Sequence, residues 1–444
     1  MRSKTSEYKM ALALSWLAAV ILVILPFHAF FTTWAGSTTG HLDLWRIWKE
    51  LLLVLMLPLA GWLLWRSKSL KQWLIASWIV RLFAVYVLLH TVLGAWALSR
   101  GKVNAEALIY ALGINLRFVG FFIICALAAA GSGFLKQNWQ KIILAPAAVV
   151  VLFGLLQKFV LPYDFLRHFG YGPDTVPAYQ TVDAQLDHRR IQSTLRGANP
   201  FGAYLVLVVS ASFALLRKRN ALSTGLLTAA VVAMFYTYSR SAWIGVVISL
   251  ALLAGWSWGR TQWRKWLAVF IVALGIILSG AYLLRFSNTA QDIFLHTSTT
   301  STSSETSNEA RLASLQGGVK DVWRQPLGMG PGTAGPASLR NNQPPRIAEN
   351  YYLQLGQEIG IAGAAIFIII NLLVAVQLWQ QRKDPLARIL LASLVGLSFV
   401  NMFSHAWTDD TLAYLWWGLA GIACAPAILT GRRKQDGKNH QAAA

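Results

Sequence analysis

Residues 11–31 read ALALSWLAAVILVILPFHAFF, and this stretch decides the fold class. It is as long as the roughly 20 apolar residues that a transmembrane helix requires. The preceding ten residues carry Arg2, Lys4 and Lys9, as the start of a secretory signal does. The apolar stretch is longer than that of a signal peptide, however, and no A-x-A cleavage site follows it. We therefore expect an uncleaved first membrane span.

The same apolar pattern recurs along the chain and predicts an all-α membrane protein. Charged residues make up only 13% of the sequence, about half of the roughly 25% found in soluble domains. One water-exposed globule cannot cover so much apolar surface, which excludes soluble enzymes and disordered proteins. Cys125 and Cys424 both lie inside apolar runs, so a disulfide scaffold is excluded as well. About twelve transmembrane helices are predicted, at residues 10–32, 45–65, 73–98, 105–130, 141–161, 199–216, 221–238, 241–258, 265–284, 351–379, 387–404 and 411–430.

Basic residues predict the orientation of these spans. The formal net charge is +21, and more than half of the Lys and Arg residues fall in short, alternate connections. Such clusters mark the cytoplasmic side of a membrane protein. Both termini are therefore predicted to be cytoplasmic, in the cytoplasmic (inner) membrane. Because topology accounts for most of the charge, no nucleic-acid partner is expected.

The predicted topology divides the chain into five parts, two of which are long external loops with short helices. Loops longer than about 12–15 residues are usually functional or disordered. Both loops also carry arginines that the charge rule would exclude from the outside, so we expect a site at the external surface. The parts are a five-span bundle (1–161), an external loop (162–198), a four-span segment (199–284), a large external catalytic loop (285–350), and three spans with a cytoplasmic tail (351–444).

Two arginines stand next to predicted spans on the external side. Arg196 lies in QSTLRGANPFG (192–202), where Asn199 is expected to cap span six. Arg240 lies in YTYSRSAW (236–243), between two spans with almost no loop. A charge so close to hydrocarbon needs a partner or a task. The guanidinium fork suits the oxygens of a diphosphate, although an ion pair or a lipid headgroup is the alternative for each arginine.

The second external loop contains three further motifs. NEAR (308–311) opens a helix-like segment, and PLGMGPGT (326–333) forms a tight turn. The backbone N–H groups of that turn are candidates for binding phosphate or sugar, unless its glycines serve the turn alone. ENYYLQ (349–354) then leads into span ten. Glu349 is either a proton acceptor or an acid that favours the helix dipole.

Together these motifs resemble the O-antigen ligase/polymerase superfamily, membrane glycosyltransferases of the GT-C type. The resemblance rests on Arg-Gly-Ala-Asn-Pro at 196–200, Ser-Arg-Ser-Ala at 239–242 and the second external loop, and it covers about 190–375. It implies that a glycan moves from a polyprenyl-diphosphate carrier, such as undecaprenyl diphosphate, to an acceptor at the outer face of the membrane. The acceptor is a glycolipid such as lipid A-core in the ligases, or another carrier-linked glycan in the polymerases. No metal or other cofactor is expected.

The resemblance also implies residue roles. Arg196 and Arg240 would hold the diphosphate and neutralise its charge. Ligases commonly carry His-Asn where this chain has Glu349-Asn350, so Glu349 is our hypothesis for the general base. That difference favours a polymerase, or a ligase with another acceptor, and His405 is an alternative source of the missing imidazole. The remaining predicted substrate-binding residues are Arg311, Asn350, Arg190, Asn199 and Tyr352.

A transporter or a flippase of a lipid-linked glycan is the competing prediction. Transporters place their binding groups near the bilayer midplane, and Arg81 and Arg117 are charged residues within predicted spans. Either arginine can instead pair with an acid, Arg117 with Glu106 or Glu50. A flippase would also need arginines that bind diphosphate. The concentration of polar residues at the external surface favours the transferase.

Overall fold

The structure is a computed structural model that describes residues 2–182, 185–216, 221–257 and 307–441. Helices account for most of these residues. A two-stranded antiparallel hairpin, β1 (Gln180–Val182) and β2 (Gln185–Arg190), interrupts them in the first predicted external loop. The α-helices are α1 (Arg2–Ile24), α2 (His28–Thr39), α3 (Leu42–Arg46), α4 (Trp48–Arg66), α5 (Lys68–Ala76), α6 (Trp78–Ser99), α7 (Ala105–Ser132), α8 (Phe134–Phe159), α9 (Ala198–Leu215), α10 (Ala221–Tyr236), α11 (Arg240–Ser257), α12 (Ser307–Arg324), α13 (Tyr351–Gln380), α14 (Pro385–Val400) and α15 (Asp410–Gln441).

Within the described ranges, seven helices are long and apolar enough to cross a membrane. The first runs from Thr5 to Thr39 through a short 3-10 turn, and the others are α4, α6, α7, α8, α9 and α13. Helices α10, α11 and α14 are shorter apolar helices at three further predicted spans. The last predicted span falls within α15, whereas the ninth, 265–284, lies outside the described residues. A multi-pass helical protein is confirmed, and the number of twelve spans stays a prediction.

The third predicted span, residues 73–98, is wrong at its start. The chain breaks at Ser77, whose side chain accepts a hydrogen bond from the Val80 amide and caps α6. The preceding helix α5 carries two lysines and is a separate, amphipathic element. Because the apolar residues continue across the break, composition alone did not reveal it.

The packing of α7 against α15 forms the centre of the molecule. Small residues let the two helices approach closely, as is usual between membrane helices. A Cβ added at Gly421 would lie 2.3 Å from the Phe122 carbonyl oxygen, and one at Gly418 would lie 2.5 Å from the Phe121 ring. The N-terminal and C-terminal parts of the chain therefore share one core.

The first external segment is a folded structure rather than a plain loop. The Gln180 side chain of β1 accepts a hydrogen bond from the Ala198 amide (2.9 Å), which fixes the first residue of α9. Gly197 is the N-cap of this helix, so the prediction that Asn199 caps it is wrong. Ser193 is tied to the bundle through its hydroxyl, which donates to the Val150 carbonyl (2.6 Å).

The glycine turn 326–333 packs into a break in α13. Gly360 has φ +75°, which interrupts the helix and leaves carbonyl groups without intrahelical donors. The amides of Met329 and Gly330 donate to the carbonyls of Gln357 and Glu358, each at 2.8 Å. These N–H groups are therefore occupied within the protein, and the prediction that they bind phosphate or sugar is wrong.

Candidate functional site

Arg190, at the end of β2, connects three elements on the external side. Its Nε donates to the Thr237 carbonyl (2.8 Å), in the turn between α10 and α11. Its terminal nitrogen donates to Oδ1 of Asn199 at 2.5 Å, on the first turn of α9. The predicted binding residue Asn199 therefore positions Arg190, and the guanidinium is held next to the turn that carries Arg240.

Three guanidinium groups converge at this point. Burial, followed by the nearby charges of Arg311 and Arg240, lowers the pKa of Arg190 to about 10, although Glu349 acts in the opposite direction. Like charges are held together only when the surrounding structure enforces it, and a bound anion would relieve their repulsion. We call Arg190, Arg240, Arg311 and Glu349 the arginine cluster.

Glu349 lies within the arginine cluster, directly before α13. Its Oε2 accepts a hydrogen bond from Nε of Arg311 at 2.7 Å. The Glu349 side chain remains 41% exposed, so a substrate can reach the carboxylate. Arg311 comes from α12, which packs across α13 where Gly356 leaves room for Val322. Two segments of the second external loop therefore meet at this ion pair.

The backbone is strained next to three of the predicted residues. Among the described residues, the non-glycine residues with positive φ are Ser193 (54°), Tyr238 (49°) and Glu349 (48°). Ser193 precedes Arg196 by a few residues, and Tyr238 precedes Arg240. Such left-handed residues cost about 1–3 kcal/mol each and cluster at functional sites. Their distribution supports a site at these three segments.

Two predicted substrate-binding residues have structural contacts. The Asn350 side chain caps α13 by accepting from the Leu353 amide (3.0 Å), and its Nδ2 donates to the Met402 carbonyl (2.9 Å). The hydroxyl of Tyr352 donates to the Ser398 carbonyl at 3.3 Å. Asn350 thus joins α13 to the segment after α14, and Tyr352 joins α13 to α14 itself. A direct contact with substrate stays a prediction for each.

Arg196 occupies a different place from the arginine cluster. It faces a cavity of about 360 Å³ between α2, α4 and α7. Burial acts to lower the pKa of Arg196, but Tyr110, through its charge and a hydrogen bond, and the nearby Asp410 raise it overall. Arg196 therefore stays charged. That Arg196 and Arg240 hold one diphosphate together stays a prediction.

His405 lies between the cavity and the arginine cluster. Burial lowers the pKa of its imidazole and Arg196 lowers it further, while Glu349 opposes them. The imidazole is therefore neutral near pH 7. A lone histidine beside two aspartates was the sequence signal for this residue. Tyr110, in contrast, belongs to no recognisable motif and was missed.

Other external arginines are explained by ordinary ion pairs. Arg340 contacts Glu106 (2.6 Å), and Arg346 contacts Asp321 of α12 (2.6 Å). Both pairs fasten the second external loop. Glu106 is therefore not the partner of Arg117, which pairs mainly with Asp410 and lies 3.7 Å from Glu50.

Comparison with known proteins finds a family match over one region of the chain. Residues 225–368 match the family model described as O-antigen ligase. The matched region contains Arg240, Arg311 and Glu349, whereas Arg190 and Arg196 precede it. No curated protein matches the chain. The matched region covers about a third of the chain and supports the O-antigen ligase/polymerase superfamily, a group of membrane enzymes of the glycosyltransferase type.

Proposed function

We propose that this protein transfers a glycan from a polyprenyl-diphosphate carrier to a hydroxyl acceptor at the outer face of the cytoplasmic membrane. The observation that carries the proposal is the convergence of Arg190, Arg240 and Arg311 around Glu349. Three fixed cations suit a diphosphate, and the exposed carboxylate among them suits a proton acceptor. The O-antigen ligase domain supports the same class of reaction.

The arginine cluster would act on the leaving group. As the bond between the anomeric carbon and the diphosphate oxygen breaks, the electron pair stays on that oxygen. Preorganised guanidinium groups stabilise this growing charge more than they stabilise the bound donor, which lowers the barrier. Arginine suits the task because it stays charged in a partly desolvated site. No metal is required in this scheme, since the arginines supply the positive charge.

Glu349 would act on the acceptor. Its carboxylate takes the proton from the acceptor hydroxyl while the hydroxyl oxygen forms the new bond to the anomeric carbon. The ion pair with Arg311 orients the carboxylate. The bond that forms, the bond that breaks and the proton transfer therefore involve the same small region.

The cavity that contains Arg196 would accommodate part of a lipid-linked substrate. Its rim includes Leu51, Val54 and Ile109, which are exposed on the outer surface of α4 and α7. Exposed apolar side chains on membrane helices face lipid, so an amphiphile can enter from the bilayer. Arg196 and Tyr110 would then contact its polar headgroup.

Reconstitution tests the proposal against its main alternative. Wild-type protein in liposomes receives a polyprenyl-diphosphate glycan and candidate acceptors, with no nucleotide sugar and with a chelator present. We expect a new glycan–acceptor product and released polyprenyl diphosphate. Movement of the intact donor across the bilayer without any product would instead identify a flippase and refute the transferase.

A further inference from the structure

A buried charge network lines part of the cavity that contains Arg196, and the proposed reaction assigns it no chemical step. The Asp410 carboxylate, at the start of α15, contacts the Arg117 guanidinium of α7. Its second oxygen lies 3.0 Å from Nζ of Lys49 in α4 and 3.0 Å from Nε2 of His28 in α2. We call these four residues the Asp410 network. One carboxylate thereby joins four helices.

The Asp410 network reaches the segment that carries His405. A terminal nitrogen of Arg117 donates to the Thr408 carbonyl at 2.7 Å, while the guanidinium also contacts Asp410. Thr408 in turn donates to the His405 carbonyl through its amide (2.9 Å) and its hydroxyl (2.7 Å). Arg117 is thus connected to the backbone of His405 through one residue.

The other end of the same segment is attached to the residues that follow Glu349. The Tyr351 amide donates to the carbonyls of Asn401 (2.9 Å) and Ser404 (3.2 Å). The segment 401–409 is therefore held at two points, one beside Glu349 and one at Arg117. These attachments place His405 between Glu349 and Arg196, whose charges it senses.

Stability alone is a weak reason to keep such a network. Lys49 and Arg117 are almost fully buried, with 3% and 4% of their side chains exposed. Removing charges from water costs several kcal/mol per ion, and apolar residues of similar volume often stabilise a core equally well or better. Ionisable groups retained within membrane helices usually serve a function.

We propose that Arg117 and Asp410 are positioning residues, which fix the segment 401–409 so that the imidazole of His405 holds the acceptor hydroxyl against Glu349. This inference rests on the proposed transferase function and deepens it by assigning the orientation of the acceptor. The geometry needs arginine in particular. A lysine could pair with Asp410, but it lacks the planar fork that reaches Asp410 and the Thr408 carbonyl together.

A double-mutant cycle tests the inference with Arg117→Lys, His405→Ala and the combined variant. Wild type and Arg240→Ala are assayed alongside, and Arg81→Lys is the matched control. Arg81 is exposed and donates only to the Ile75 carbonyl (2.8 Å), beside the Trp78 ring. Folding is checked by thermal unfolding, and kcat and the KM for donor are measured separately.

We expect Arg117→Lys to lower kcat on the order of 100-fold, because small misplacements of reacting groups cost about that much. Donor KM should change less than about threefold, since the acceptor and not the donor is misplaced. His405→Ala should lose a similar factor. The double variant should be no worse than His405→Ala, because both changes remove the same alignment. Arg81→Lys should match wild type.

Two results would overturn the inference. One is a folded Arg117→Lys variant with wild-type kcat, and the other is independent losses that multiply to roughly 10,000-fold in the double variant.

If Arg117→Lys does not fold, Thr408→Val replaces it, since the change keeps the side-chain volume and removes the hydroxyl bond to His405. Thr408→Val should lower kcat about tenfold in wild type and have no effect beside His405→Ala; any other pattern is contrary to the inference. If wild type itself transfers nothing, the proposed function fails instead.

Discussion

At the scale of single residues, Glu349 combines three properties that are rarely found together. Its backbone is left-handed, its carboxylate is paired with Arg311, and its side chain remains accessible. The ion pair orients the carboxylate while leaving it accessible to a substrate. These properties support a chemical role over a helix-capping role, because the neighbouring Asn350 already caps the helix.

Replacing Glu349 by Gln removes the proton acceptor and keeps the shape of the side chain. We expect kcat to fall by about 100-fold or more, the usual contribution of a general base. Donor binding should survive, because the three arginines remain. Glu106→Gln is the matched control, since Glu106 is also an external carboxylate paired with an arginine. Equal rates for wild type and a folded Glu349→Gln variant would remove Glu349 from the mechanism.

Arg190 predicts an alkaline limit to activity. Its pKa is lowered to about 10, so its charge is complete at pH 7 and disappears as the pH rises through 10. If the charge stabilises the leaving diphosphate, kcat/KM should fall over the same range. Lysine begins about two pKa units below arginine and would experience the same burial and the same cations. Arg190→Lys should therefore shift the alkaline limb to lower pH, and an unshifted limb would contradict the role.

The sequence could predict individual site residues but not their grouping. Arg240, Arg311 and Glu349 were recognisable because charge placed against the membrane topology needs a cause. Whether Arg196 lies close to these residues depends on how α7 and α9 pack. The local sequence around Arg196 does not determine that distance. Tyr110 was missed for the same reason, since a tyrosine near the end of an apolar helix is ordinary for an interfacial residue.

At the scale of helices and strands, the break in α13 gives the second external loop its anchor. The turn 326–333 donates hydrogen bonds to the α13 carbonyl groups that the break leaves without intrahelical donors. The Glu358 side chain also accepts from the Gly332 amide (2.8 Å) and from Nδ2 of Asn115 (2.8 Å). The loop that supplies Arg311 and Glu349 is thereby fixed to α7 and α13. Catalytic groups placed on anchored segments keep their geometry between turnovers.

Gly360→Ala should disrupt this anchor. The added Cβ would lie 2.5 Å from the Pro326 carbonyl oxygen, and φ is +75° at this position. We expect a destabilisation of at least about 1–3 kcal/mol, measured as a lower midpoint of thermal unfolding. Gly61→Ala in α4 is the control, because a Cβ there meets nothing within 4 Å and alanine favours a helix. Similar midpoints for both variants would show that the break is not under steric constraint.

The limits of most elements followed from the sequence, and the exceptions share a cause. Apolar runs predicted α7, α9 and α13 closely, because the bilayer fixes both the composition and the length of a span. The break at Ser77 and the hairpin before Arg190 were not predicted. Both depend on hydrogen bonds between distant or polar groups, which hydropathy does not register. Residues 265–284 lie outside the described residues, so that span stays a prediction.

At the scale of the whole molecule, the proposed function requires the arginine cluster to lie on the external side of the cytoplasmic membrane. Cys125 and Cys424 are fully buried, so labelling of introduced cysteines should have a low background. Gln343→Cys, in the second predicted external loop, should react with a membrane-impermeant maleimide in intact cells. Gln137→Cys, in the first turn of α8, should react only after permeabilisation; both native side chains are exposed. The opposite labelling pattern would reverse the predicted topology.

The central claim is that the external arginine cluster stabilises a diphosphate leaving group during glycan transfer. Its most direct test is a single-turnover transfer assay that compares Arg240→Ala with Arg324→Ala in reconstituted, folded protein. Arg324 is an exposed external arginine at the end of α12 and lies outside the cluster. We predict a loss on the order of 100-fold to 1,000-fold for Arg240→Ala and wild-type transfer for Arg324→Ala. Equal transfer by both variants would contradict the account.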